Sequence, residues 1–366
     1  RLNVLPADRY PPVTTHMPQI VKLVAGLVEK GLAYNIDGSV YFRVRAFDQG
    51  AFPVRYGDLS KRNIDDLESG ARVDVDDTKE DPLDFALWKK AKTGEPAWDS
   101  PWGQGRPGWH IECSAMSMEY LGQEFDIHGG GLDLIFPHHT NEVAQSVGAT
   151  GKRFARMWMH NGFVTINQQK MSKSLGNFFT LTDIFARFDP MVVRYFRLSQ
   201  HYRTPLNYSD HELAVAAKTW ADRICGAHRI AASRADVAAP LAKDDAFEEA
   251  LAHDVNTAEA LGVMNTLCSE IFSLDKLARE TGDAAASDAA GWKERFGKLA
   301  SMLDALGLVV AAEESWPEAA LELVRLRGEA RTRKDWKESD RIRDALKAMG
   351  FVVEDSAAGP RLKRIV

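Results

Sequence analysis

Apolar positions recur every three or four residues from 17 to 30, where Ile20, Val21, Val24, Leu27 and Val28 share one helical face and Gly31 supplies a stop. The period then changes to two. Ala33-Tyr34-Asn35-Ile36, the turn Asp37-Gly38 and Val40-Tyr41-Phe42-Arg43-Val44 predict a β-hairpin. Residues 46–108 are rich in Asp, Gly, Pro and Trp with few periodic runs, which predicts an irregular inserted subdomain packed by Trp88, Trp98 and Trp102. Short strands and helices mix over 109–200. Phe125-Asp126-Ile127 reads as a strand end, Gly129-Gly130-Gly131 as a loop, and 158–166 as an apolar strand. Asp189-Pro190 is a cap and first-turn pair for a helix over 191–199. Beyond Tyr208 the period is helical, through 213–233, 246–279 and 291–306, with Ala-rich connections at 234–242 and 283–290. The last part reads as two basic helices over 321–350 and a short strand, Phe351-Val352-Val353.

A chain of 366 residues predicts two or three domains, and 45% apolar with 27% charged residues is ordinary for a soluble globular protein. No apolar run is long enough to span a bilayer. Cys113, Cys225 and Cys268 are far apart, which argues against a disulfide framework and for a reducing cytoplasm. The net charge of −6 does not advertise a nucleic-acid binder. Its distribution changes that picture: 321–366 holds twelve Lys/Arg against eight Asp/Glu, so the remainder carries about −10. A basic tail on an acidic body is compatible with a docked polyanion and equally with a solvated helix.

Four stretches carry chemistry. Lys170-Met171-Ser172-Lys173-Ser174 sets two lysines three apart among small, hydroxylated residues after a strand, which suits clamping nucleotide phosphates while charge moves between them. The backbone of Gly162-Phe163-Val164, in the strand before it, is placed to read an adenine edge. In 126–134, Gly129 and Gly131 let the backbone approach a ligand, Asp133 is placed to accept from ribose hydroxyls, and His128 to face phosphate. Trp109 and Cys113 lie one helical turn apart on a shared face. If Pro137 opens a helix, His138 and Glu142 lie at i and i+4, and His139 and Glu142 at i and i+3. Either pair can converge on one ion, and spacing does not choose between them. Cys, His and Glu form a partial zinc ligand set. Neither Cys225 nor Cys268 stands in a matching context for a fourth ligand, so that ligand lies upstream or the position stays open to a substrate.

These pieces, in this order, resemble the cysteinyl-tRNA synthetase family of class I aminoacyl-tRNA synthetases. The matching words are Gly-Arg-Pro-Gly-Trp-His-Ile-Glu-Cys-Ser-Ala-Met at 105–116, Asp-Ile-His-Gly-Gly-Gly at 126–131, Phe-Pro-His-His at 136–139, His-Asn-Gly-Phe-Val at 160–164 and Lys-Met-Ser-Lys-Ser-Leu-Gly-Asn at 170–177. Similarity continues through Tyr202–Tyr208 (202–208) and from Lys334-Asp335-Trp336 to Asp340-Arg341-Ile342-Arg343-Asp344, so it covers almost the whole chain. The resemblance implies an α/β fold: a Rossmann-type catalytic domain split by an inserted subdomain, then an α-helical bundle and a small α/β tail that reads the anticodon. The segments expected on that basis are 1–104 for the inserted region, 105–204 for the second half of the catalytic domain with the lysine loop, 205–315 for the bundle and 316–366 for the tail.

The implied reaction joins L-cysteine to its tRNA through cysteinyl-adenylate, using ATP with Mg2+ and releasing pyrophosphate. The resemblance puts one zinc per chain on Cys113, His138 and Glu142, where the substrate thiolate binds it and serine is rejected without editing. Zinc's preference for a soft thiolate agrees. Trp109 is expected to line the cysteine pocket. ATP and the adenylate are expected on His128, Gly129, Gly131, Asp133, His160, Gly162, Phe163, Val164 and Lys173, with Lys170 and Lys173 stabilising the triphosphate in the transition state. The expected partners are cysteine tRNA, L-cysteine and ATP, with no membrane, for a cytoplasmic monomer.

Two family words are missing: a His-x-Gly-His that grips ATP and a cysteine upstream of it that supplies the remaining zinc ligand. Thr140 stands where the family has Glu, and 48–56 is unusual. The chain begins at Arg1 within what reads as a loop, so it reads as a fragment lacking its upstream part, expected not to form cysteinyl-adenylate at a normal rate alone. Two rivals share these words: a ligase joining cysteine to a glucosaminyl-inositol in mycothiol synthesis, and a truncated synthetase that binds tRNA without catalysis. The tail over 321–366 argues against the sugar ligase, which has no need of it.

Overall fold

The computed structural model describes residues 1–64, 79–166, 169–171, 179–235, 241–281, 289–311, 317–356 and 359–364. The chain divides into two units, one of residues 5–170 and 202–207, the other of 1–4, 171–201 and 208–366.

In the first unit, helix α1 (Met17–Glu29) buries Met17, Ile20, Val24 and Leu27 on its predicted face, and the chain leaves it through Gly31 at φ +74°. Strands β1 (Ala33–Ile36) and β2 (Ser39–Phe42) form the predicted hairpin, with Asp37 and Gly38 both in the left-handed region that a two-residue turn demands. The strand ends at Phe42, two residues earlier than the pattern predicts. Asp84 accepts from the Val44 amide at 2.9 Å, and Val44–Asp48 forms a short helix, α2. The stretch 46–108 is less irregular than expected, because it holds β3 (Phe85–Lys90) and β4 (Gly105–Pro107). The four strands run β1-β2-β3-β4, each antiparallel to the next. Two lysines end β3 and β4 is only three residues long, which hid them from the periodicity. Trp88 is fully buried, and Trp98 and Trp102 pack beside it as expected.

Helix α3 (Trp109–Leu121) starts at Gly108, where a Cβ would stand 2.0 Å from the Ala86 carbonyl oxygen, so only glycine lets it sit this close to the sheet. Next comes β5 (Phe125–Gly131), parallel to β6 (Ala155–Asn161) in a register that runs through Gly131 opposite Asn161. Gly129, Gly130 and Gly131 are therefore strand and not the expected loop; the absence of side chains serves the His139 ring, 2.7 Å from where a Gly130 Cβ would lie. Between these strands a turn over Ile135–His139, kinked at Phe136, leads into α4 (Thr140–Thr150). The apolar run 158–166 is two strands. Gly162 interrupts it and packs on Thr204 and Pro205, after which β7 (Val164–Ile166) pairs with β8 (Gln169–Lys170) and lies beside β9 (Leu206–Tyr208).

Helices α1, α3 and α4 share one core with the four-stranded sheet, including Ile20, Leu27, Phe42, Phe47, Trp88, Ile111, Ala115, Ala144 and Val147. Each fully buried large side chain there contributes about 1.5–3 kcal/mol. The Ser114 hydroxyl donates to Gln145 Oε1 at 2.7 Å and ties α3 to α4. These two helices, the turn before α4 and β5 carry the functional cluster.

The second unit is helical, as expected, and ends in a small α/β tail. It comprises α5 (Leu181–Phe185), α6 (Pro190–Leu198), α7 (Asp210–Lys218), α8 (Cys225–Ala235), α9 (Asp245–Ala252), α10 (Thr257–Thr281) and α11 (Ala289–Ala305). Asp189 caps α6 by accepting from the Met191 amide at 2.7 Å, as its sequence predicts. The run 246–279 is broken into α9 and α10. The tail has α12 (Glu318–Thr332), α13 (Trp336–Ala348) and an antiparallel hairpin of β10 (Phe351–Ser356) and β11 (Gly359–Arg364). Ala320, Ile342, Leu346, Phe351, Val353 and Leu362 form its core, and Arg327 makes a two-pronged pair with Asp355 at 2.8 and 2.9 Å. Among the described residues no helix is long and apolar enough to cross a membrane.

Candidate metal centre and nucleotide-facing strands

Helix α3 presents Cys113 one turn after Trp109, and α4 presents Glu142 one turn after His138. Packing of α3 on α4 brings them together: a cysteine sulfur, an imidazole nitrogen and a carboxylate oxygen from Cys113, His138 and Glu142 all lie within 4.8 Å of one another. His138 Nε2 stands 2.7 Å from Glu142 Oε1, which realises the i, i+4 spacing. A second group, His128, His139 and Glu142, satisfies the same limit, with His128 Nε2 3.2 Å from Glu142 Oε2. The two histidines left open by spacing thus separate: the one that shares a group with the sulfur is His138.

Glu142 is fully buried, and neither carboxylate oxygen has a hydrogen-bond partner among the described residues despite these close imidazoles. Burying a carboxylate in that state is costly unless a cation compensates it. Burial, the chief cause, disfavours the charged form of four histidines around the site. His128 and His160 fall below the usual histidine value, His110 to about 4 and His139 to about 3. Burial, then Glu142 and Glu112, push the Cys113 thiol up to about 12. A divalent cation inverts that logic by stabilising thiolate and carboxylate together. The donor set of sulfur, imidazole nitrogen and carboxylate oxygen suits zinc.

A further layer holds the rings. His110 Nδ1 lies 2.8 Å from His138 Nδ1, leaving His138 Nε2 for Glu142. His160 Nε2 lies 2.8 Å from His139 Nδ1. The sequence placed His128 and His160 on the nucleotide. Here His128 turns Nε2 to Glu142, and the buried His160 turns inward to His139. His110 had no assigned role, although it lies in the same word as Trp109 and Cys113. The Trp109 ring is 59% exposed and lies 4.3 Å from the His138 ring centroid, beside the ligand group.

Gly129 and Gly131 lie at the carboxyl end of β5, where open parallel sheets bind ligands. A Cβ on Gly129 would meet only the Met159 carbonyl at 3.7 Å, whereas one on Gly131 would stand 2.5 Å from the Asp133 carboxylate. Asp133 itself is exposed, as are Phe163 and Val164. Two backbone groups of the expected adenine-reading segment are engaged within the fold: the Gly162 amide donates to Tyr202 at 2.7 Å, and the Phe163 carbonyl accepts from Leu206 at 2.8 Å. The Lys170 backbone belongs to β8. Ser172, Lys173 and Ser174 of the lysine loop lie outside the described residues.

Comparisons with known proteins agree with the family that the sequence resembles. A family described as "tRNA synthetases class I (C) catalytic domain" matches residues 1–218, a DALR domain 246–309, and a "Cysteinyl-tRNA ligase anticodon binding domain" 313–359. The cysteine–tRNA ligase of Pelotomaculum thermopropionicum is 47% identical, covering 99% of this chain and 79% of its own length. That of Caldicellulosiruptor saccharolyticus is 47% identical over 100% and 78%. Methionyl-tRNA synthetase of Mycobacterium tuberculosis, solved with methionyl-adenylate, superimposes with a TM-score of 0.52 at 15% identity, covering 83% of this chain and 74% of that one, which shows the class I catalytic fold. The tail match leaves the sugar ligase unfavoured. With its catalytic words, its tail and nearly its whole length accounted for in this way, the chain belongs to the cysteine–tRNA ligase family, class I synthetases that join cysteine to its tRNA at the expense of ATP.

Proposed function

We propose that the chain selects cysteine with a zinc ion held by Cys113, His138 and Glu142. The observation that carries this is Glu142, fully buried and without a hydrogen-bond partner among the described residues, in reach of one sulfur and one imidazole nitrogen. Burying a carboxylate without full hydrogen bonding is costly, and a bound cation offsets that cost. Bound zinc supplies a soft acidic centre on which a substrate sulfur is held as thiolate, a contact that a serine hydroxyl does not replace. His110 fixes the His138 ring from behind, so that Nε2 stays aimed at the cluster. Trp109 walls the pocket beside it.

The nucleotide is assigned to the carboxyl ends of β5 and β6. Gly129 and Gly131 let phosphate approach the backbone, Asp133 accepts from ribose hydroxyls, and the exposed Phe163 and Val164 border the adenine. Lys170 and Lys173 are assigned to the triphosphate on the strength of their sequence alone. The tail, 313–359, is assigned to the anticodon.

Metal analysis of the dialysed chain tests the zinc reading, with one equivalent expected and nearly none in Cys113→Ala. The cobalt-loaded chain should show sulfur-to-cobalt absorption that grows on adding cysteine and not serine. A wild-type chain that takes up no metal would remove the reading.

A further inference from the structure

The segment that carries His138, His139 and Glu142 is braced from behind by a loop that none of the catalytic words includes. Tyr56 is buried, and its hydroxyl donates to Asn141 Oδ1 at 2.6 Å. Asn141 is itself 2% exposed and immediately precedes Glu142. From the same loop, the Arg62 guanidinium lies 4.6 Å above the Phe136 ring, two residues before His138. The ligand segment is thus gripped at both ends, at Phe136 and at Asn141.

The loop is built to hold these two side chains. Asp48 Oδ1 accepts from the Tyr56 amide at 3.1 Å, and Asp58 Oδ2 accepts from the Arg55 amide at 2.8 Å. Gly57 turns at φ +94°, and a Cβ there would stand 2.1 Å from the Arg62 carbonyl oxygen, so the two limbs touch. Phe136 has extended backbone angles, φ −138° and ψ 131°, at the kink where the chain enters α4. The Thr140 hydroxyl donates to the Ile135 carbonyl at 2.7 Å across this kink, and Tyr56 and Arg62 brace the same turn from outside.

We infer that Tyr56 and Arg62 are positioning residues for cysteine recognition, acting through Asn141 and Phe136 on the segment that presents His138 and Glu142. The inference rests on the zinc reading above. Ligands held by supporting contacts lose geometry when those contacts go, even when their own atoms are untouched. Tyr56→Phe removes one hydroxyl and keeps the ring in its buried site.

The test uses the cobalt-loaded full chain, titrated with L-cysteine and separately with ATP. Tyr56→Phe should still bind one metal ion, with a changed visible cobalt spectrum. Cysteine should bind about threefold to tenfold more weakly, the effect of one buried hydrogen bond, and ATP affinity should not change. Arg62→Lys, which keeps a cation over Phe136, should restore most of what Arg62→Ala loses. An unchanged spectrum and cysteine affinity in both Tyr56→Phe and Arg62→Ala would overturn the inference. So would parallel losses of cysteine affinity, ATP affinity and melting temperature, which mean general destabilisation. A wild-type chain without metal uptake would instead overturn the zinc reading, so the two failures are distinguishable.

Discussion

Gly129 and Gly130 are neighbours in one strand, yet a methyl group has different consequences at each. At Gly130 it would stand 2.7 Å from His139 Cε1, and His139 is held by His160 on its other side. Gly130→Ala should therefore lower stability by about 1–3 kcal/mol through overpacking. Gly129→Ala meets only ordinary contact and should stay within about 0.5 kcal/mol. Equal denaturation midpoints for the two variants would contradict this. A second residue-scale expectation concerns acid. His228 packs on Phe296, and burial, then Arg229, hold its pKa below the usual histidine value. As pH falls below about 6.5 the unfolded chain binds the proton more readily than the folded one, so this group's contribution is lost with acid. His228→Phe should narrow the loss of stability between pH 7 and pH 5, by at most about 1.4 kcal/mol per pH unit. What the sequence could not show at this scale was direction. The words containing His128 and His160 were legible, but their rings turn inward because two helices and two strands converge there. A histidine–Glu142 pair was legible from spacing, but the choice of His138 over His139 beside Cys113 came from the packing of α3 on the turn before α4.

Helices with an unbroken apolar period were legible as elements, and their interruptions were not. The run 246–279 parts at Asp254 and Val255, both in the left-handed region at φ 57° and 53°. Asn256 then starts α10: its side chain accepts from the Glu259 amide at 3.1 Å and donates to Glu259 Oε2 at 2.9 Å. That reciprocal cap is a sequence signal, Asn followed three residues later by Glu, and it marks the break without coordinates. Left-handed backbone costs a β-branched residue about 1–2 kcal/mol, whereas asparagine adopts it readily. Val255 is 44% exposed, so little packing is at stake. Val255→Asn should accordingly raise the melting temperature, and a fall of several degrees would show that its apolar contacts outweigh the strain. Strands fared worse than helices. The hairpin at Asp37-Gly38 was legible from its turn, but β4 is three residues of Gly, Arg and Pro that become a strand only because β3 lies beside them.

The family words span nearly the whole chain, so the architecture was legible as soon as they were joined, but how the acidic body and basic tail share the work was not. Most tail arginines are engaged at home: Arg325 with Glu322 and Glu329, Arg327 and Arg331 with Asp355, Arg341 with Glu338. These partners are the tail's own acidic residues, so local pairing leaves its excess of positive charge unchanged. Lys334, Trp336 and Lys337 are exposed where α12 meets α13, and Trp336 is 58% exposed with Arg331 over its ring. An exposed indole flanked by lysines suits an unpaired base stacked between phosphates. Trp336→Ala should weaken binding of cysteine tRNA by about 1–3 kcal/mol, with nearly unchanged dependence on salt. Lys334→Gln and Lys337→Gln should each lower the salt slope by about one and weaken all tRNAs alike. Titrations of labelled cysteine tRNA and a non-cognate tRNA over a series of salt concentrations separate the two effects. A Trp336→Ala chain that binds and discriminates as well as wild type would place the base-reading surface elsewhere.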